Sequence, residues 1–528
     1  RVADRFVFPA GASHRVLPGV SRPGTVFEFL EADLQRRRMP EHPGFALGWV
    51  GWFGYELKAQ TMEVPPGAHS RHPDAALVFL DRCIVFDHQS GAAMLLALGD
   101  DWDGELLAWR EQVIGQLSRL EPDRENRPRP PAPTARVLDA PAVQWAHSDA
   151  EYLGMIRECQ VAISAGDAYQ LCLTTQARVG VTPDPLDTYL ELRATSPTHH
   201  GAFLRMGEIS VLSASPEQFI AVSPSGQVQT SPIKGTRRRG ATPEEDTRLK
   251  EELLASDKER AENLMIVDLM RNDIGRIATI GSVHVSSLLT VESYAQVHQL
   301  VSTVRGTLAP GVSGVDAVVS CFPAGSMTGA PKRSATTILS RLEREPRGIY
   351  SGVLGYLSLD GRIDLSMIIR SIVIDPNGAT VGAGGGITAL SVPEEELDEV
   401  YLKAAVLLEV LGAVDGEDVD SLRAGPGHAV SPPRRGIMHF VGVACPSRSQ
   451  FPRLSGETAA REPAASAGGA RVSPAPSRSR SADRPATASS WAAPRPSGTP
   501  AGRRTDPAPL PGTRAPSDPR RRRPRRRG

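Results

Sequence analysis

Beyond about residue 415 the chain stops supplying the apolar periodicity from which a core can be built. It turns to Ala, Pro, Ser, Gly and Arg and closes on RRRRPRRRG. Such a segment cannot bury enough surface to offset the entropy of ordering it. Residues 416–528 are therefore expected to be disordered, and any packed structure has to be made by what precedes them. An authentic Arg-rich tail and an out-of-frame read past a lost stop codon of a GC-rich gene both produce this composition. The same break explains the charge balance. The 528 residues carry 60 Lys+Arg and 60 Asp+Glu, yet residues 421–528 hold 21 Arg, no Lys and 5 acidic residues, leaving 39 basic against 55 acidic residues upstream. An acidic body repels phosphate at short range, which argues against a nucleic-acid surface there and leaves that role to the tail alone.

Five cysteines (Cys83, Cys159, Cys172, Cys321 and Cys445) are odd in number, widely spaced and without a CxxC pair, as expected of a reduced cytoplasmic protein. AALVFL at 75–80 and AAMLLAL at 92–98 fall far short of the ~20 apolar residues of a membrane span. The N-terminus has no basic region followed by an apolar one, so neither a transmembrane helix nor a signal peptide is expected. The chain opens on Arg1 rather than Met, which leaves room for upstream sequence.

Apolar and β-branched runs predict strands over 45–57 and 75–87, and helical spacing predicts a helix over 102–120. Residues 121–140 read as a Pro-rich linker, so 1–120 and 141–412 are expected as an N-terminal region and a catalytic domain. Past the linker a helix is expected over 149–167 and strands over 169–179, 200–206, 209–214 and 218–223. A basic loop SPIKGTRRRG (231–240) and a long helix at 257–273 follow. Strands near 283–292 and 298–306 lead to a helix within 329–342, a hairpin turning at Asp360-Gly361 within 356–374, the run GAGGGI (382–387) and a helix over 393–411. Runs of strands separated by helices, without βαβ alternation or internal repeats, imply an α+β fold.

Several residue patterns carry chemistry. GAGGGI places four glycines between a strand and a helix, where bare backbone N–H groups can receive an anion. Glu259 and Glu262 share one face of a predicted helix, and Glu396 and Glu399 repeat that spacing on another. Singly each pair reads as a solvated face; together they can converge on a hard cation that keeps positions for water and substrate, as Mg²⁺ prefers. Lys234, one of a handful of lysines in an Arg-rich body, reads either as an exposed loop cation or as an amine kept for its ability to lose a proton. His298, among Val297, Leu300 and Val301, reads as a structural histidine.

GDAYQLCLTT (166–175), SASPEQF (213–219), SPIKGTRRRG, DKERAENLMIVDLMRNDIGRI (257–277), VHQLVSTVRG (297–306), FPAGSMTGAPK (322–332), GVLGYLS (352–358) and GAGGGIT (382–388) occur in that order. Taken together they resemble the chorismate-utilising enzymes, the large subunits of anthranilate, aminodeoxychorismate and isochorismate synthases, over roughly residues 25–411. The resemblance implies an anthranilate-synthase-like chorismate-binding fold of large sheets flanked by helices. PIKGT, with Lys234 where anthranilate synthases resemble PIAGT, points to the aminodeoxychorismate synthase component I branch. Gln170 stands where isochorismate synthases carry a water-activating Lys, and Gln299 where eliminating relatives carry His.

The implied reaction is amination of chorismate at carbon 4 to 4-amino-4-deoxychorismate, for p-aminobenzoate and folate or for a secondary metabolite. Within that resemblance, Lys234 is the nucleophile at carbon 2 and needs a depressed pKa, and Glu217 is the general acid, kept protonated by burial. Glu262 and Glu399 hold Mg²⁺ with Glu259 and Glu396 in supporting places, and Ser326 lines the ring. Arg370, Tyr350 and the backbone of Gly384, Gly385 and Gly386 take the second carboxylate. Leu390 departs from the branch's usual Asp, which puts the packing of the glycine run in question. None of the five Cys lies in a glutaminase elbow, so ammonia is expected from a glutamine amidotransferase subunit or a fused domain. The alternatives are an anthranilate synthase component and, in another class, a basic-tailed nucleic-acid interaction protein with a relic enzyme body.

Overall fold

The computed structural model describes residues 5–8, 13–17, 20–119 and 141–413, leaving aside Pro66, Gln89, Ala295 and Gln296. The expected linker and the Arg-rich tail lie outside the described residues.

Every described strand pair is antiparallel, and the strands form two large sheets and a separate two-stranded one, Arg82–Asp87 with Ala92–Ala97. A twelve-stranded sheet runs in the order Ile233–Arg238, Val297–Thr307, Gln227–Ser231, Gln218–Val222, Ile363–Met367, Val353–Ser358, Gly48–Phe53, Ala75–Leu80 and then the three N-terminal strands, with His284–Ser293 also on Val297–Thr307. A seven-stranded sheet runs His200–Met206, Ile209–Ser215, Ser371–Asp375, Gly378–Ile387, Gln170–Val179 and Gly329–Ala330, with Val143–Trp145 on its fifth strand. Gly48–Phe53 pairs directly with Val353–Ser358, so strands from before and after the Pro-rich stretch share one sheet.

The period-two side-chain alternation of strands explains the layers. Trp49, Phe53 and Leu77 face helices Val26–Arg36 and Asp257–Gly275 in one core. Trp52, Ala76 and Leu354 face the other way and meet Val211 and Val373 of the second sheet. Both faces of GWVGWF are thus buried, which is why it reads as a continuous apolar run. A third core packs helices Asp149–Ser164, Lys332–Glu343 and Pro393–Val410 on the outer face of the seven-stranded sheet. Helix Asp149–Ser164 starts where Ser148 and Glu151 form a reciprocal capping box, and it buries Tyr152, Ile156 and Cys159.

The α+β class holds, and several local expectations are corrected. Residues 75–87 are two strands in different sheets, divided at Asp81. The basic segment 231–240 is largely a strand, Ile233–Arg238, whose register shifts between Ile233 and Thr236 around Gly235 at φ 85°. GAGGGI is no loop ahead of a helix: it lies in the strand Gly378–Ile387. The helix Pro243–Ala255, which no motif announces, precedes the long helix Asp257–Gly275. His298 is buried and satisfied, between Ser293 Oγ at 2.8 Å and Asp246 Oδ1 at 2.9 Å. Leu390 is 90% exposed and packs on nothing that shapes the glycine strand.

Candidate active site

Two neighbouring strands change sheet side by side. Ile209–Ser215 belongs to the seven-stranded sheet and Gln218–Val222 to the twelve-stranded one, with Glu217 at the crossing. Ile363–Met367 and Ser371–Asp375 make the reverse crossing at Arg370. The crossings are pinned together: the Met367 N–H donates to the Glu217 carbonyl and the Ala214 N–H to the Arg370 carbonyl, both at 3.0 Å. Arg370 sits at φ 51°, a left-handed conformation that a non-glycine residue keeps only where its surroundings over-determine it. Its side chain is exposed and makes no salt bridge or hydrogen bond among the described residues, with Glu399 and Tyr350 in its field. The expected second run of the 356–374 hairpin is therefore broken at Arg370, whose guanidinium has no hydrogen-bond or salt-bridge partner among the described residues.

The glycine strand closes another wall. It pairs with Gln170–Val179 in the register Gly384↔Thr174, Gly385↔Leu173, Gly386↔Cys172. The Cys172 N–H donates to the Thr328 carbonyl and the Thr174 N–H to Glu343 Oε1, both away from the glycines. These are accordingly the non-hydrogen-bonded pairs of the ladder. The N–H groups of Gly384 and Gly386 point to the side where the neighbouring strand Ser371–Asp375, whose last pairing there is Ile372↔Val381, has ended; that of Gly385 points into the ladder. A Cβ on Gly386 would lie 2.3 Å from Gln170 Nε2 and 3.5 Å from Lys234 Nζ. A Cβ on Gly382 would lie 2.1 Å from Cγ of the Tyr350 ring. Overpacking of this kind costs about 1–3 kcal/mol, so Gly382→Ala is expected to lower stability by that amount in urea unfolding. An unchanged midpoint would contradict the ring-on-glycine contact.

Three of the chain's six lysines gather around the expected metal carboxylates. Lys258 pairs with Glu396 at 3.2 Å, and Ser391 Oγ also donates to that carboxylate at 2.7 Å. Lys403 bridges Glu399 at 2.7 Å and the Gly384 carbonyl at 2.8 Å. Glu259 is drawn aside by Arg237 at 2.7 Å. Glu262, half-buried, has no salt bridge or hydrogen bond among the described residues; burial raises its pKa, against the pull of Lys234 and Lys258 and with Glu396 and Glu399 adding to the rise. For Glu399, Lys403, Lys258 and Lys234 outweigh burial and hold the carboxyl below its ordinary range. Among the described residues no three acidic, His or Cys side chains close on one point as ligands, because each of Glu259, Glu396 and Glu399 is held by a cation. The donors are all carboxylate oxygens and Glu262 lacks a partner, a set that fits a hard divalent cation. Lys258 and Lys403 were missed in the sequence; only the i,i+4 spacing of Glu399 and Lys403 signals one of them.

Glu217 is buried, and burial pushes its carboxyl up to about 7, against the Ser326 hydroxyl and Lys234. Lys234 stands among opposing influences. Burial lowers its pKa, but Glu262 first, then Cys172, Glu217 and Glu399, outweigh burial and hold the amine above its ordinary value. Gln170 is buried with Oε1 unpartnered, and Gln299 is buried opposite Thr236.

Glu217, Lys234, Arg370 and the open edge of the glycine strand thus stand at the seam of the two sheets, and the chain belongs to the chorismate binding enzyme family, whose model matches residues 12–409. The match begins earlier than the resemblance read from motifs. The chain is 45% identical over 423 residues to aminodeoxychorismate synthase of Streptomyces pristinaespiralis, covering 78% of this chain and 57% of that protein. It is 38% identical to anthranilate synthase component 1 of Thermus thermophilus, covering 73% and 81%. The crystal structure of anthranilate synthase component I from Streptococcus pneumoniae superposes with a TM-score of 0.67 at 29% identity, covering 77% of this chain and 90% of that one. The chain thus spans little more than half the length of the two Streptomyces aminodeoxychorismate synthases it matches.

Proposed function

We propose that the chain aminates chorismate at carbon 4, giving 4-amino-4-deoxychorismate. The observation that carries this reading is Lys234, whose Nζ lies 3.5 Å from where a Cβ on Gly386 would stand, in the field of both Glu262 and Glu217. Arg370, Tyr350 and the outward N–H groups of Gly384 and Gly386 suit one carboxylate of the dianion. Glu262 and Glu399, with Glu396 and Glu259 in reserve, would hold Mg²⁺. Bound there, Mg²⁺ would supply positive charge for the ring carboxylate.

The proton bookkeeping then follows from the side chains. Neutral Lys234 forms a bond to carbon 2 as the carbon 4–oxygen bond breaks, and Glu217 gives its proton to the departing hydroxide, which leaves as water. Ammonia bonds to carbon 4, the double bond shifts back, the carbon 2–nitrogen bond breaks to return neutral Lys234, and the new carbon 4 ammonium gives one proton back to Glu217. Ser326, bonded to Glu217, keeps the acid aimed at the leaving oxygen. Ammonia is assigned to a glutamine amidotransferase, as a subunit or fused domain. The nearest alternative, anthranilate formation with loss of pyruvate, is disfavoured by Gln299 and Lys234. A cytoplasmic setting is part of the proposal, supported by the free state of Cys83, Cys159, Cys172 and Cys321. No helix among the described residues is long and apolar enough to cross a membrane.

The acid assignment has a pH signature. A general acid works protonated, so a carboxyl raised to about 7 gives an alkaline limb on which turnover falls about tenfold per unit as pH rises through that value, while the neutral amine required of Lys234 sets the opposite, acid limb. Glu217→Gln is expected to lose most of kcat and with it this alkaline limb. Stopped assays over pH measure both, and an alkaline limb that survives in Glu217→Gln assigns the acid elsewhere.

A further inference from the structure

Behind the cleft lies a buried ion pair to which the reaction above assigns nothing. Glu343 ends the helix Lys332–Glu343, and Arg347 follows one turn of chain later. Both side chains are inaccessible, at 6% and 2% exposure. They meet as a fork, Arg347 Nε to Glu343 Oε2 at 2.8 Å and Nη2 to Oε1 at 2.6 Å. A buried pair is a poor source of stability, so what matters is where its remaining bonds go.

The side-chain bonds go to two walls of the cleft, and the Arg347 backbone ties in a third. Arg347 Nη1 donates to the Met327 carbonyl at 2.6 Å, next to Ser326, and Nη2 to the Cys172 carbonyl at 2.8 Å, opposite Gly386. Glu343 Oε1 accepts the Thr174 N–H at 2.9 Å and the Thr174 hydroxyl at 3.0 Å, opposite Gly384. By taking these groups on the far side of Gln170–Val179, the pair fixes which residues of that strand turn away from the glycines, and so which glycine N–H groups face the cleft. The third wall is the turn into Tyr350. Glu56 takes the N–H groups of Arg347 and Gly348, each at 2.9 Å, and the Tyr55 N–H donates to the Gly348 carbonyl at 2.9 Å. The Arg347 guanidinium stacks on the Tyr55 ring, 4.3 Å from its centre.

We infer that Glu343 and Arg347 are a positioning pair, which holds the Gly384 and Gly386 donors, Ser326 and Tyr350 in one fixed relation so that chorismate meets a preorganised cleft. The inference rests on the chorismate reading above. It makes the effect specific, because preorganisation acts on substrate constants and rate, whereas the carboxylates of the metal side stand on other elements, Asp257–Gly275 and Pro393–Val410.

The test is steady-state kinetics on the full chain with ammonium, Arg347→Lys keeping the charge and removing the fork. Its chorismate KM is expected to rise at least about tenfold and its kcat to fall about a hundredfold, with the apparent Mg²⁺ constant within about twofold of wild type. Thr174→Val, which preserves shape and removes one hydroxyl bond to Glu343, is expected to raise KM a few fold at unchanged kcat, and it decides the question if Arg347→Lys does not fold. Wild-type constants in a folded Arg347→Lys, equal deterioration of the Mg²⁺ and chorismate constants, or an unaltered KM in Thr174→Val overturns the positioning role while leaving the function standing. A wild-type chain that neither binds chorismate by calorimetry nor turns it over overturns the functional reading and this inference with it.

Discussion

Glu262→Gln is expected to abolish turnover, by on the order of a thousandfold or more, while leaving the fold intact. The magnitude follows from the several kcal/mol that a bound divalent cation contributes to a charged transition state. The stability claim follows from the environment. Glu262 has no salt bridge or hydrogen bond among the described residues, and burial together with Glu396 and Glu399 opposes its charge, so neutralising it removes a repulsion. Glu399→Gln should be equally inactive but less benign, since Lys403 loses its 2.7 Å partner. Glu259→Gln should be mild, because Arg237 already draws that carboxylate aside. Mg²⁺ titrations of kcat on the three variants, alongside thermal melts, check the order. Wild-type turnover in Glu262→Gln would remove it from the metal assignment.

The second large effect is expected at Lys234. Lys234→Ala removes the nucleophile but leaves Glu217, Arg370 and the glycine donors in place, so chorismate should still bind and the 4-amino product should disappear. Ammonia can then reach carbon 2 in the vacated space and give the 2-amino isomer slowly. With Gln299 standing opposite Thr236 where eliminating relatives carry His, that isomer should accumulate without rapid release of pyruvate. Product regiochemistry by NMR reads this directly, and mass spectrometry of the wild-type protein under turnover should trap a lysine adduct. Undiminished 4-amino product from Lys234→Ala would reduce the residue to a cation in the wall of the cleft.

The residues proposed to carry chemistry are legible because each has a fixed place in the sequence: Lys234 in PIKGT, Glu217 in SPE, Glu262 and Glu399 on helical spacing. Their surroundings are not. The break at Arg370 hides inside an alternating run, since a strand that leaves one sheet for another keeps its period of two. The glycine run reads as a turn because glycine is a poor strand former; only pairing with Gln170–Val179 makes it a strand, and pairing is not written in the local sequence. Nor is convergence: Lys258, Lys403 and Arg237 come from three elements to neutralise carboxylates on two helices, and nothing in their spacing tells a cleft from a solvated face. The α+β class survived these errors because it depends on the order of strand and helix runs rather than on their ends.

The most direct test of the central claim is to incubate the chain with chorismate, Mg²⁺ and an ammonium salt and identify the product by NMR and mass spectrometry. The account predicts 4-amino-4-deoxychorismate with no stoichiometric pyruvate, and no product when glutamine replaces ammonium unless a glutaminase is added. Anthranilate formed together with pyruvate would contradict it.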